Sequence, residues 1–234
     1  MLAELERRGE LDDTLVIVTS DNGMPFPRVK GHTYENANHL PLAIRWPQGI
    51  RNAGRKVSAY VSFVDFAPTF LEAARIPWDK SGLAPSPGRS LFDVFAATPG
   101  LEKTRDHALI GRERTDLGRP LDAGYPVRGI VKAGRLYLEN AEPTRWPCGN
   151  PETGYLDTDA SPTKTFILQA RRDKGADPHW ELCFGPRPSR ELYDLQADPN
   201  CVHNLLTSPS PASYADLRAQ LWNELTELGD LRAS

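Results

Sequence analysis

The run Thr19-Ser20-Asp21-Asn22-Gly23 closes an apolar segment, Leu15-Val16-Ile17-Val18, and this junction constrains the chain more than any other stretch. An apolar strand that ends in adjacent oxygen donors and a glycine sets a carboxylate and an amide carbonyl at its C-terminal end, where open α/β folds bind ligands. The near-continuous apolar run Thr14 to Val18 predicts a central strand covered on both faces. Oxygen donors select a hard cation. Calcium takes about six to eight oxygens, so Asp21 and Asn22 fill only part of a shell. Asp-Asn-Gly is also good turn chemistry, which makes an Asx turn the competing reading.

Helical and extended patterns alternate along the rest of the chain. Leu2 and Leu5 with intervening charges predict a helix that Gly9 ends. Residues 23–40, rich in Pro, Gly, Asn and His, predict a long functional loop, and Pro41 to Trp46 a second strand. Phe63, Phe66, Ala67, Phe70, Leu71 and Ala74 recur at helical spacing and stop before Pro77, which predicts a buried helix. Pro68 fits only its first turn, favouring Asp65 over Ser62 as the cap. Val127 to Lys132 and Arg135 to Glu139 predict a hairpin around Ala133-Gly134. Thr165 to Ala170 and Arg190 to Leu195 read as further antiparallel strands. Leu217, Leu221, Trp222, Leu225 and Leu228 form one face of a last helix.

Composition removes some function classes. With 28 basic and 31 acidic residues in 234, the net charge of −3 gives no field that points to nucleic acid or a membrane. Three widely spaced cysteines form no disulfide framework. The N-terminus is charged where a signal peptide has its apolar core, and no run approaches the ~20 apolar residues of a membrane span. A soluble chain with no export signal of its own is expected.

The stretch Leu11 to Pro47, with Asp21-Asn22, Lys30, Tyr34-Glu35, Pro41-Leu42 and Trp46-Pro47 in order, resembles the second half of the catalytic domain of the sulfatase family. Asp65-Phe66-Ala67-Pro68-Thr69 resembles the family's Asp-x-x-Pro-Thr helix start. Glu191-Leu192-Tyr193-Asp194, Asp198-Pro199 and Asn204-Leu205 resemble its C-terminal signature. Within the family, Met24-Pro25-Phe26-Pro27 and Gly124-Tyr125-Pro126-Val127-Arg128 are most similar to the heparan N-sulfatase branch. The resemblance implies an α/β chain: the second half of an alkaline-phosphatase-like sulfatase domain (1–103), then an α+β C-terminal subdomain (104–234) with a small antiparallel sheet and a packed helix.

Sulfatases use a formylglycine made from the Cys or Ser of Cys/Ser-x-Pro-x-Arg. Neither Cys148, Cys183 and Cys201 nor Ser86-Pro87-Gly88-Arg89 meets that spacing. The resemblance therefore implies a C-terminal fragment, inactive alone, whose partner is the missing N-terminal half. Family members are usually periplasmic, secreted or lysosomal.

The resemblance makes Asp21 and Asn22 ligands of one Ca2+, and the asparagine favours calcium where related two-metal phosphatases carry a zinc-binding histidine. It makes Lys30 the catalytic contact that steadies the sulfuryl oxygens, with Arg28 as the fallback if the loop register shifts. His32 and His39 are candidate general acids or ordinary loop residues, and His39 is also a candidate substrate contact. Arg112, in the cluster with His107, Glu113, Arg114, Asp116 and Arg119, and Arg128 beside Tyr125 are candidate substrate contacts, because guanidinium forks match sulfate and carboxylate. Trp146 and Tyr155 are sugar-stacking or core aromatics. The expected substrate is a sulfated glycan or small sulfated sugar, foremost N-sulfated glucosamine. The alternatives are a sulfatase for O-sulfated sugars and a non-catalytic glycan-binding remnant.

Overall fold

A computed structural model describes residues 1–114, 121, 123–152, 157–207 and 214–233. The chain runs α1 (Leu2–Arg7), β1 (Val16–Thr19), α2 (Glu35–Asn38), β2 (Leu42–Arg45), α3 (Phe66–Ala73), α4 (Phe92–Phe95), α5 (Leu101–Thr104), β3 (His107–Arg112), β4 (Val127–Lys132), β5 (Arg135–Asn140), α6 (Pro162–Lys174), α7 (Pro178–Phe184), β6 (Arg190–Asp194) and α8 (Ala215–Glu227). It divides into two units, Met1–Thr19 with Pro41–Ala108, and Ser20–Leu40 with Leu109–Ser234. The loop that follows β1 therefore groups with the second unit, while the strand itself belongs to the first.

In the first unit β1 and β2 pair antiparallel, from Val16 opposite Arg45 to Thr19 opposite Leu42. Leu91, Val94, Phe95 and Leu101 form the core, with Leu15, Ile44, Trp46 and Phe66 packed on it. Two sequence expectations change here. Among the described residues β1 pairs with β2, and Val18 is 57% exposed, so these residues leave one face of the strand open. Nor is α3 buried: Thr69 is its buried residue, while Phe63 and Phe70 are exposed and stack with Phe66 along the helix.

The start of α3 is built around the Asp-x-x-Pro-Thr run. Ser62 caps the turn, and Asp65 reaches back to accept the Ser62 backbone N–H at 3.2 Å, a reciprocal capping box. Asp65 also accepts from the Arg89 N–H at 2.8 Å and from the buried Arg105 guanidinium at 2.9 Å. The Thr69 hydroxyl donates to the Asp65 carbonyl and accepts the Leu91 N–H. This motif is a structural knot.

The second unit holds a sheet in the order β3-β4-β5-β6. The β4–β5 hairpin turns at Ala133-Gly134, both at positive φ (49° and 72°), as a tight two-residue hairpin requires. Alternation along the strands builds two cores. Ile130, Tyr137 and Leu192 face α8 through Leu221 and Leu225. Val127, Leu136, Leu138 and Tyr193 lie on the opposite face with Tyr34, Tyr125 and Cys201.

The strand expected at Thr165 to Ala170 is instead part of α6. Ser161 caps it by accepting the Lys164 N–H at 3.1 Å, Pro162 sits in its first turn, and Gly175 at φ 76° ends it. These helix-boundary signals outweigh the β-branched residues inside.

Candidate functional site

The loop 20–40 is held by its backbone and by one aromatic ring. The Tyr34 ring is buried on the sheet, and its hydroxyl donates to the buried Glu191 carboxylate at 2.9 Å. The same carboxylate accepts from the Tyr193 hydroxyl at 2.5 Å and from Asn140 at 2.8 Å. Burial and the Glu191 charge push the Tyr34 pKa up, which keeps its hydroxyl a donor. The Arg28 guanidinium covers the ring at 4.1 Å and donates to the carbonyls of Leu182, at 2.6 Å, and Cys201.

His32 stacks on the other flank of Tyr34, with centroids 5.6 Å apart. Its Nε2 lies 3.0 Å from the Cys183 carbonyl, which requires the proton on that nitrogen, and 3.0 Å from Cys148 Sγ. Burial, and then the charges of Arg187, Arg112 and Arg28, hold its pKa well below the ordinary 6.5. The ring is neutral and structural.

Lys30 sits between these anchors. Gly31 adopts φ 82°, and a Cβ there would fall 2.6 Å from the Asp157 Cβ, so the backbone passes too close for any side chain. The Gly31 carbonyl accepts from Arg112 and from Cys148 Sγ, and the Lys30 carbonyl from the Thr158 hydroxyl at 3.4 Å. With Arg28 anchored before it, the backbone is held on both sides of the lysine, yet its side chain stays 34% exposed. Its ammonium meets both Asp159 oxygens at 2.9 Å. Lys164, which donates to the Thr158 carbonyl at 2.6 Å, ties down the segment that carries Asp159.

Asp21 and Asn22 follow β1 directly. The Ser20 hydroxyl donates to the Asn22 carbonyl at 2.6 Å, and Asp21 Oδ1 accepts the Asn22 N–H at 3.0 Å. Gly23 is required where it stands, since a Cβ would fall 2.2 Å from the Asn36 carbonyl. The turn is thus real, and it presents an exposed carboxylate beside an amide. That oxygen-only pair fits a hard cation by donor chemistry and fills part of its shell. No group of three or more His, Cys, Asp or Glu gathers as a metal cage among the described residues.

The other sequence candidates have structural partners. Arg28 anchors the loop, as described, and so is not the fallback for Lys30. His39 is exposed and pairs with Glu35 at 2.5 Å, one helical turn away. Arg112 donates to the carbonyls of Gly31 and Pro147. Arg128 meets Asp230, Glu113 and the carbonyls of Arg112 and Val127, which accounts for all five of its N–H groups. His107 pairs with Asp106 at 2.6 Å. Trp146 packs edge-on against Trp180 in the core. Tyr155, Asp116 and Arg119 lie outside the described residues.

Sequence reasoning missed Asp159, the partner of Lys30, because no periodicity links positions 129 residues apart. It found Tyr34 and Glu191 only as separate motif residues. Each is a polar group in an apolar pattern, and such groups are buried in pairs.

Residues 1–76 match the family model described as Sulfatase. Over 230 residues the chain is 32% identical to human N-sulphoglucosamine sulphohydrolase, covering 94% of this chain and 43% of that protein. It is 27% identical over 237 residues to the ulvan-active sulfatase of Formosa agariphila, covering 98% and 36%. A solved structure of a protein in complex with its substrate, D-glucosamine-2-N,6-O-disulfate, aligns with a TM-score of 0.58 and 26% identity, covering 97% of this chain and 36% of that one. The chain spans less than half the length of these curated relatives.

Proposed function

This chain belongs to the sulfatase family and carries the C-terminal part of that fold, and on that premise we propose that it provides the sulfate-contacting half of an enzyme that removes sulfate from sulfated glycans. The observation that carries the proposal is Lys30: a part-exposed ammonium paired with exposed Asp159, on a backbone held by Arg28 before it and by Gly31 after it. An ammonium held in place before reaction stabilises charge that develops on sulfuryl oxygens without reorganisation. Arg28, the competing cation, is committed to the carbonyls of Leu182, Asn200 and Cys201 and to the Tyr34 ring. Asp21 and Asn22 would contribute two oxygens to a bound calcium ion, whose charge polarises sulfate when it is present. The nucleophile comes from outside these 234 residues, because no Cys/Ser-x-Pro-x-Arg occurs in them.

For the substrate we propose N-sulfated glucosamine, supported by the 32% identity to the human N-sulphoglucosamine sulphohydrolase. A second reading, O-sulfated glucosamine, is favoured by the solved relative, whose substrate carries both a 2-N and a 6-O sulfate. The test joins this chain to a sulfatase N-terminal half bearing the nucleophile and offers glucosamine-2-N-sulfate and glucosamine-6-O-sulfate separately. Calcium-dependent sulfate release from the first is expected. Release from the second alone selects the second reading, and release from neither by the folded, calcium-loaded protein leaves a glycan-binding remnant.

A further inference from the structure

One end of the four-stranded sheet holds a cavity of about 140 Å³ whose lining includes Arg128 but neither Lys30 nor Asp21-Asn22. It is lined by the start of β4 (Pro126, Arg128), the end of β5 (Glu139, Asn140), the start of β6 (Arg190) and Trp222 of α8, with Arg232 beyond that helix. At ~30 Å³ per water this is room for roughly four to five waters, the scale of one sugar ring.

Two polar groups on its wall have no protein partner among the described residues. Tyr137, Trp222 and Arg218 all approach the same oxygen of Glu139, Oε1, at 2.6, 3.0 and 2.7 Å. Oε2 has no hydrogen bond among the described residues. The Arg190 side chain, opposite Glu139 in the β5–β6 register, likewise has no hydrogen bond or ion pair among the described residues. Arg128 has no N–H left over and Arg232 is engaged by Glu113 at 2.5 Å, so among the described lining residues Arg190 is the guanidinium with no protein partner.

The cavity thus offers a guanidinium fork, a carboxylate oxygen and an indole wall. The fork recognises a carboxylate or sulfate, the carboxylate oxygen accepts a hydroxyl proton, and an indole packs against a sugar ring through its apolar body. We propose that this end of the sheet is a second carbohydrate site that binds one anionic monosaccharide unit, its acid group on Arg190, a hydroxyl on Glu139 and its ring against Trp222. The proposal rests on the reading of this protein as one that handles acidic glycans, and it gives the second unit a role in holding a unit of the glycan other than the one cleaved.

The test titrates the 234-residue chain with D-glucuronate, glucose 6-sulfate and uncharged glucose, following the indole N–H resonance of Trp222, assigned by its loss in Trp222→Phe. Either anionic sugar should shift that resonance, and the tighter of the two identifies the acid group. Glucose should bind at least about tenfold more weakly. Arg190→Ala, which removes an unpaired surface side chain, should weaken the anion by about tenfold or more, and Arg190→Lys should recover part of the loss. An unmoved Trp222 signal, equal binding of glucose, or unchanged affinity in Arg190→Ala overturns the site. Binding that disappears in Lys30→Ala but survives in Arg190→Ala also overturns it while sparing the functional reading. Arg190-dependent binding in a protein whose joined enzyme releases no sulfate upholds this site and removes that reading.

Discussion

Tyr34→Phe should release the candidate loop from the sheet. The substitution deletes one hydroxyl and keeps the ring that Arg28 covers and His32 stacks on. What is lost is one of three donors to the buried Glu191 carboxylate, made at 2.9 Å. A hydrogen bond to a charged group contributes about 1.5–3 kcal/mol, and a buried acceptor left short of a donor keeps that cost in full. Tyr193 and Asn140 remain, which places the expected loss near 2 kcal/mol.

That energy belongs first to loop opening. The amides of Ala37 and Asn38 bond to the Tyr34 carbonyl and that of His32 to Val29. Their exchange reports detachment of the segment. At about 1.4 kcal/mol per decade, native-state hydrogen exchange at these amides should quicken roughly 30-fold. Tyr193→Phe removes a donor to the same carboxylate from within the sheet, so it should destabilise the fold without selectively quickening the loop amides. Loop exchange unchanged in Tyr34→Phe, or equally quickened in both variants, would refute the reasoning that this hydroxyl pins the loop.

In the joined enzyme, Lys30→Ala should lower kcat by about a hundredfold or more, with kcat/KM falling in step and Lys30→Arg recovering part of the rate; unchanged kinetics would remove Lys30 from the reaction. Asp21→Ala should weaken calcium binding, read by titration calorimetry, more than Asn22→Ala, since it removes an anionic ligand; parent-like affinity in both returns the pair to a plain turn. His32 has a folded pKa below its unfolded value near 6.5, so the unfolded chain binds the extra proton. Its contribution is therefore complete above pH 6.5 and is lost as pH falls, at up to about 1.4 kcal/mol per unit. Urea titrations from pH 7.5 to 5 should show a shallower acid loss in His32→Gln; equal slopes would contradict a buried neutral ring. The chain alone, with calcium, should release no sulfate, and robust turnover would reveal a nucleophile within it.

What the sequence made legible was local. The β4–β5 hairpin follows from Ala133-Gly134 and period-two alternation, and α8 from the spacing of Leu217, Leu221 and Leu225. The reading failed where local preference and boundary signals disagreed: Thr165 to Ile167 look extended, but Ser161-Pro162 and Gly175 bracket a helix. It failed again at α3, where apolar spacing predicts a helical face but not what covers it. At the site, Asp21-Asn22-Gly23 announced itself because turn chemistry and ligand chemistry use the same residues. Asp159 did not, because its meeting with Lys30 is created only when the loop packs, within the second unit, against the segment before α6.

The motif positions themselves divide by burial, and the division bears on function. Asp65, Tyr34 and Glu191 are buried polar groups hydrogen-bonded to other buried groups of the chain. Replacing any of them leaves a partner unsatisfied, so their presence reports the fold. Lys30 is different. Its pairing with Asp159 is half-exposed on both sides, and an exposed pair of this kind contributes about 0–1 kcal/mol. On the proposed reading, a sulfate oxygen would exchange with Asp159 on the ammonium, carboxylate and sulfate being anions that accept the same N–H groups. That exchange asks of Asp159 that it hold the ammonium in the free chain and yield to a stronger acceptor, which the small stability contribution of an exposed pair permits.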